Sequence, residues 1–271
     1  MKNIIKKLFR KTATSSSFEP DVYVISYPKS GRTWLRALIG KYLSLKYDLP
    51  EDRILSTKII TRESNLPKVS FTHDGSAMVD KTRFNDLSSD KQAYADKKVV
   101  LMGRDIKDTL VSAYFQATKR IHVFDGSISE FIATEEFGVE KILGFYNIWL
   151  RNRHTPESLL FIRYEDLHQD PRGTLRDVLE FIGEARPAEN LLDKSIEYCA
   201  FDNLKKLETR NKFKKGILKP ANTDDPESFK VRKGKIGGYT EYLSAEDVAF
   251  IDKTIADHNF DFSKFRAPNG Q

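Results

Sequence analysis

Lys29, Ser30, Gly31, Arg32 and Thr33 follow one another in the stretch YPKSGRTW, directly after the apolar run VYVIS. A lysine, two hydroxyls and a glycine between a strand and a helix can cradle a phosphate. The glycine frees the backbone, the first helical N–H groups point at the anion, and the lysine adds a point charge. Trp34 at the mouth of such a loop offers a flat face for a base. The order is not that of a nucleotide-triphosphate loop, in which Lys and then Ser or Thr follow the last glycine. Further along stand other groups able to do chemistry: His73 after VSFT, Arg104 after VVLMG and Tyr164 after LLFIR. Arg232, Lys233 and Gly234 lie together in VRKGKIGGY. A histidine suits general-base work near neutral pH, and an arginine grips two oxygens of a phosphate at once.

The elements that position these groups are legible in the periodicity. Short β-branched or apolar runs at 22–26, 69–72, 99–103 and 159–163 read as buried strands. Helical spacing of apolar residues covers 33–47, 106–119, 171–182 and 188–199. A last helix opens on a capping-box-like SAED at Ser244 and runs to about 259. Strand followed by helix, repeated, predicts a single α/β domain with a central, mostly parallel sheet covered by helices on both faces. Parallel strands connected by right-handed crossovers bring their C-terminal ends to one edge, where ligands bind. The loop at 28–33, His73, Arg104 and Tyr164 all follow a strand, so they converge there.

Bulk properties narrow the field. The 271 residues carry 45 Lys+Arg against 39 Asp+Glu, a formal net charge of +6. That favours anionic ligands, but without an aromatic-laced basic stripe it does not indicate nucleic acid. The single cysteine, Cys199, excludes an internal disulfide and a cysteine-rich metal site, and reads as a buried structural thiol. No metal site is expected, because no His/Asp/Glu cluster has ligand spacing. No apolar run is long enough to span a membrane. The basic start, residues 1–19, reads as a flexible tail, with contact to a membrane surface as the weaker alternative, and a cytoplasmic location is the default. The main domain is expected over 20–262, with a lid and loop at 211–240 and a tail at 263–271.

YPKSGRTW resembles the 5′-phosphosulfate loop of the soluble sulfotransferases, which use 3′-phosphoadenosine 5′-phosphosulfate (PAPS) and release adenosine 3′,5′-bisphosphate (PAP). GRDIKDTLVSAYF is similar to their second signature, an arginine followed eight residues later by a serine, here Arg104 and Ser112. VRKGKIGGY is similar to their third, the Arg-Lys-Gly loop. The three occur in family order over roughly residues 20–262. The resemblance implies that PAPS is the co-substrate and that the sulfuryl group passes to a hydroxyl, less readily an amine, of a metabolite, lipid or glycan. It implies that His73 is the general base, with Asp74 in reserve, and that Lys29 stabilises the leaving phosphate oxygen, with Ser112 restraining it. Arg104, Ser112, Arg232, Lys233 and Gly234 would hold the 3′-phosphate, and Trp34, Tyr164 and Phe201 the adenine. Lys29, Ser30, Gly31, Arg32 and Thr33 would hold the 5′ end.

Several positions depart from the family pattern. Phe71 replaces a common lysine two residues before the histidine, and Ala200 a Ser or Thr before Phe201. Arg32 stands where many members carry a small hydroxyl residue; it adds a cation to the cradle or turns to solvent. The C-terminal dimer motif is not kept around YTEYLSAEDVA, so no oligomer is expected by that route. Phe71, Tyr114, Phe115, His122, Phe124 and Tyr146 are candidates to line an acceptor pocket. Two other readings stand beside the sulfotransferase: a P-loop-type kinase using ATP, and a non-catalytic binder of adenosine bisphosphate or polyanions.

Overall fold

The computed structural model describes residues 19–213 and 217–266. The N-terminal segment up to residue 18 and the last five residues of the expected tail lie outside the described residues. Four strands, β1 (Val22–Ser26), β2 (Val69–Thr72), β3 (Lys98–Gly103) and β4 (Ser158–Arg163), form one sheet in the order β2-β1-β3-β4. Every pairing is parallel, with Val22 opposite both Val69 and Lys98, and Lys98 opposite Ser158. The sheet is therefore wholly parallel.

Side chains alternate across a strand, and the sheet accordingly divides two cores. Val24, Val100 and Met102 face helices α1 (Arg32–Lys46), α7 (Pro171–Phe181) and α8 (Glu189–Tyr198), through Leu35, Leu38, Val178 and Leu192. Ile25, Val99 and Leu101 face α3 (Ile106–Lys119), α5 (Val139–Arg151) and α10 (Ala245–Asp257), through Leu110, Ile142, Trp149 and Ile251. Burying each such side chain contributes about 1.5–3 kcal/mol. Shorter helices α2 (Thr57–Glu63), α4 (Ile128–Ile132), α6 (Tyr164–Gln169) and α9 (Phe201–Thr209) complete the layers. No helix among the described residues is long and apolar enough to cross a membrane.

The expected strands and helices are present, with ends shifted by a residue or two. Ser244 caps α10 in a capping box with Asp247, the last residue of SAED. Helix α5 falls in a stretch for which no element is expected from the periodicity, yet Tyr146 and Trp149 on it are fully buried. Cys199 is buried as expected, and burial pushes its thiol up to about 12.

Chain direction reverses at β1 and β3: β1 leads to one edge of the sheet, and the chain then crosses back to β3. Beyond the C-terminal ends of this strand pair lies the crevice where doubly wound sheets bind ligands.

Candidate functional site

A cavity of about 580 Å³ opens at that crevice. The turn leaving β1 forms its floor. Lys29 and Gly31 both adopt left-handed backbone, with φ of 73° and 91°. For lysine that conformation costs about 1 kcal/mol, and it is held by Arg104, whose Nη1 donates to the Lys29 carbonyl at 3.2 Å. A Cβ at Gly31 would collide with the Tyr164 ring and approach the Met102 methyl to 2.9 Å. Only glycine fits. Gly31 is also the N-cap of α1, which has no capping side chain and no acid in its first turn. Its first N–H groups and the positive end of its dipole therefore remain available to an anion.

Lys29 reaches into the cavity, and its Nζ donates to Gln116 Oε1 at 3.2 Å. Burial, then the cations Lys230, Arg120 and Arg104, hold its amine well below the ordinary lysine range. Charges crowded in this way are relieved by an incoming anion. The partner expected for Lys29 was Ser112. Ser112 does line the cavity, but the amine is held one helical turn further along α3, at Gln116. Ser30 also differs from expectation. Its side chain is fully buried beneath the loop, 3.0 Å from the Tyr27 carbonyl and 3.1 Å from the Tyr146 hydroxyl. Its hydroxyl thus braces the turn from below.

His73, at the end of β2, has a defined tautomer. Its Nδ1 lies 2.9 Å from the Ser26 carbonyl, which can only accept, so Nδ1 carries the proton. Its Nε2 lies 2.7 Å from Arg32 Nη2, which can only donate, so the lone pair at Nε2 accepts from Arg32. Burial, and next the Arg32 charge, lower the His73 pKa to about 3. Arg32 therefore turns neither to solvent nor over the cradle; it covers the histidine's basic nitrogen. Asp74 points elsewhere. Its carboxylate accepts from Tyr94 Oη at 2.8 Å and Trp149 Nε1 at 2.9 Å, and it pairs with Lys91 at 2.8 Å.

The other end of the cavity is aromatic and cationic. Trp34 donates through Nε1 to the Cys199 carbonyl at 3.1 Å, which fixes its ring against His168 and Tyr164, with centroids at 4.8 and 5.8 Å. The Arg104 guanidinium stacks 4.4 Å above the Tyr164 ring. Phe201 packs against Gly234, where the left-handed backbone (φ 63°) leaves no room for a Cβ. The segment carrying Arg232 and Lys233 is tied down by Asp108, whose carboxylate accepts from the amides of Gly237 at 2.8 Å and Tyr239 at 3.1 Å. Glu208 of α9 does the same before the loop, accepting from the amides of Lys230 and Val231 at 2.7 and 2.8 Å. Arg232 Nη1 pairs with Glu227 at 2.9 Å, and Lys233 with Glu241. Within the expected lid, residues 214–216 lie outside the described residues. Around them Phe213 and Leu218 are buried, and Arg120 Nη2 donates to the Lys219 carbonyl at 2.9 Å.

The cavity thus gathers Lys29, Gly31, Arg32, Thr33, Trp34, His73, Arg104, Ser112, Tyr164, Phe201, Arg232, Lys233 and Gly234 along one surface, and of the expected site residues omits Ser30. Sequence reasoning missed Gln116, His168 and Glu208, while Lys230 belongs to the 211–230 segment whose lysines the sequence reads either as facing an anionic acceptor or as solubilising. His168 follows Tyr164 by one helical turn, and Gln116 follows Ser112 likewise, so helical spacing was the signal for both. The aromatic candidates for an acceptor pocket are used elsewhere. Tyr114 and Phe124 pack edge-on against Phe131, Tyr146 joins the core, Phe71 lies under Arg36 at 4.3 Å and Phe115 under Arg232 at 4.6 Å. The aliphatic side chains that do line the cavity include Ala77, Met78, Val79, Ile121 and Leu218.

The family described as "Sulfotransferase domain" matches residues 19–263. The chain is 31% identical over 258 residues to a flavonol 3-sulfotransferase of Flaveria bidentis, covering 87% of this chain and 80% of that one. It is 29% identical over 255 residues to cytosolic sulfotransferase 17 of Arabidopsis thaliana, covering 86% and 72%. Among solved structures, retinol dehydratase in complex with retinol and PAP superimposes with a TM-score of 0.63 at 18% identity, covering 89% and 81% of the two chains. A mouse sulfotransferase complexed with PAP gives 0.62 at 18% identity, covering 91% and 86%.

Proposed function

The chain belongs to the sulfotransferase family, and from that premise we propose that it transfers a sulfuryl group from PAPS to the hydroxyl of a small acceptor, with His73 as base and Lys29 at the leaving oxygen. The observation that carries this reading is the pairing of an anion cradle with a neutral histidine across one cavity. Lys29 and the uncapped start of α1 stand on the cradle side, and the Nδ1–H tautomer of His73 stands beside it. The residues fit the nucleotide: Arg104 and the Arg232–Lys233 loop suit a 3′-phosphate, and Trp34, Tyr164, His168 and Phe201 enclose a space with aromatic faces for adenine.

In the transfer, the acceptor oxygen attacks sulfur as the bond from sulfur to the bridging phosphate oxygen breaks. The acceptor's proton passes to His73 Nε2, once Arg32 Nη2 has moved off that nitrogen. Charge grows on the bridging oxygen, and Lys29 stabilises it from a buried, preset position. Gln116 holds the amine until then. A flavonol sulfotransferase among the relatives supports a hydroxylated small-molecule acceptor, which suits the aliphatic lining at 77–79.

The kinase reading is weaker because no lysine followed by Ser or Thr succeeds Gly31. Thermal melts separate the two. PAP at a hundredfold its Kd is expected to stabilise the protein by about 2.7 kcal/mol, while ATP with magnesium gives much less. An equal response to both nucleotides overturns the assignment. Stabilisation by PAP without any transfer from PAPS across an acceptor panel moves it to the non-catalytic binder.

A further inference from the structure

Seven basic side chains reach the cavity, and the proposed nucleotide accounts for only part of them. Lys29, Arg104, Arg232 and Lys233 belong to its phosphates. Lys235 pairs with Glu241 at 3.3 Å, which leaves Arg32 and Lys230, both of which act electrostatically on His73. Asp108 is the sole carboxylate-bearing residue lining the cavity among the described residues, and it is engaged at the opposite end by Arg104 at 3.8 Å and by two amides. Among the described residues, Arg32 Nη1 is buried with no hydrogen-bond partner, and Nη2 has only the His73 lone pair. Lys230 Nζ donates to the Ile217 carbonyl at 3.0 Å. Burial, then Arg120, Arg32 and Arg36, lower Lys230 to about 8. Arg36 lends Arg32 no relief, being a cation itself. A buried guanidinium with an unsatisfied N–H beside a second amine is a costly arrangement unless an anion completes it.

We propose, on the footing of the sulfotransferase reading, that the acceptor itself carries a carboxylate next to its hydroxyl-bearing frame, and that Arg32 and Lys230 bind it. The carboxylate takes Arg32 Nη1 and Nη2 in a two-pronged contact. Nη2 thereby leaves His73 Nε2, and the lone pair becomes free to receive the hydroxyl proton. The imidazolium so formed lies beside an arginine whose charge the carboxylate now offsets. An acceptor without the anion leaves the base covered. Arg32 in this way selects the substrate and releases the base in one movement. The aliphatic residues Ala77, Met78, Val79 and Leu218 suit the carbon frame between the two polar ends.

The test uses the full chain saturated with an unreactive, methylene-bridged analogue of PAPS, so that a sulfonate already fills the donor's own place. 4-Hydroxybenzoate and 4-hydroxyphenylacetate are titrated calorimetrically against their neutral amides. Each acid is expected to bind about 10- to 100-fold tighter than its amide, and Arg32→Thr to bring that ratio close to one. In ¹⁵N spectra taken with 4-methoxybenzoate, which keeps the carboxylate but has no hydroxyl proton to donate, the His73 Nε2 resonance is expected to move toward that of an unbonded ring nitrogen, and with 4-methoxybenzamide to stay in place. Equal affinities in the wild type, a preference that survives Arg32→Thr, or an unmoved Nε2 resonance each overturn the proposal. Failure of the protein to bind PAP at all is a separate result: it sinks the sulfotransferase reading instead. Binding of PAP by Arg32→Thr shows that the variant is folded.

Discussion

The turn after β1 and the loop at 232–241 both present cations to one cavity, and they treat that charge in opposite ways. Around the turn, Lys29 and Arg32 have no carboxylate partner among the described residues; Lys29 rests on an amide oxygen and Arg32 on a neutral ring nitrogen. Around the loop, Arg232 pairs with Glu227, and Lys233 and Lys235 with Glu241. The turn is part of the sheet–helix junction, with Ser30 buried and Gly31 pressed on Tyr164, so the backbone that carries Lys29 is fixed in place. The loop has no regular structure of its own from 229 to 237 and is held through Asp108 and Glu208. A fixed, uncompensated cation suits stabilisation of charge that appears only during reaction, because no reorganisation is needed at that moment. A cation with an internal counter-ion suits binding that must also be undone: the phosphate displaces the carboxylate on arrival and the carboxylate returns on release.

The strongest way to break this contrast is at Lys29. Lys29→Ala is expected to lower kcat about 10²- to 10³-fold while PAP affinity falls much less, as measured by steady-state transfer and by calorimetry. If KM for the donor bears the whole loss, the turn is a binding device like the loop and the distinction fails.

Acid titration gives the next largest effect. Burial, and next the positive surroundings, hold His73 at about 3, against 6.5 in the unfolded chain. Between these values the unfolded state binds a proton that the folded state refuses, so stability is fully present above about 6.5 and is lost as pH falls toward 3. Denaturant melts of wild type and His73→Gln are expected to diverge over that window, with the wild type steeper by at most about 1.4 kcal/mol per pH unit. Parallel curves would mean that His73 is free to protonate, and that Arg32 does not cover it.

The smallest effect sharpens the loop side. Glu227→Gln and Glu241→Gln each remove a counter-ion that the 3′-phosphate must otherwise displace. PAP is expected to bind about two- to fivefold tighter, since partly exposed ion pairs contribute roughly 0.2–1 kcal/mol. Weaker binding in both variants would show instead that these carboxylates hold Arg232 and Lys233 ready for the ligand.

Much of the frame was legible in the chain because the strands are short, apolar and β-branched, and burial on both faces demands that composition. The convergence of the 28–33 turn, His73, Arg104 and Tyr164 followed from parallel connectivity alone. What escaped were contacts between groups far apart in sequence. Asp74 adjoins His73, and nothing local says that it faces away. Only the fold brings Tyr94, Trp149 and Lys91 around it, and none of these residues lines the cavity. The aromatics at 114 and 124 looked available for an acceptor and are taken up by Phe131 on α4.

The sequence by itself determined the parallel α/β frame, the glycine-bearing turn at the end of β1 and the kinds of side chain delivered to one edge, because periodicity and turn chemistry are local properties. Tertiary structure alone decided the partner of each delivered group: Gln116 for Lys29, Arg32 for His73, Glu227 for Arg232. Those choices depend on distances between separate loops, set by how β1, β2 and β3 register and by how α3 packs against them. A pattern along the chain carries no record of such distances. The arginine that seemed the odd residue of its turn acquires its meaning there, 2.7 Å from a histidine forty-one residues away.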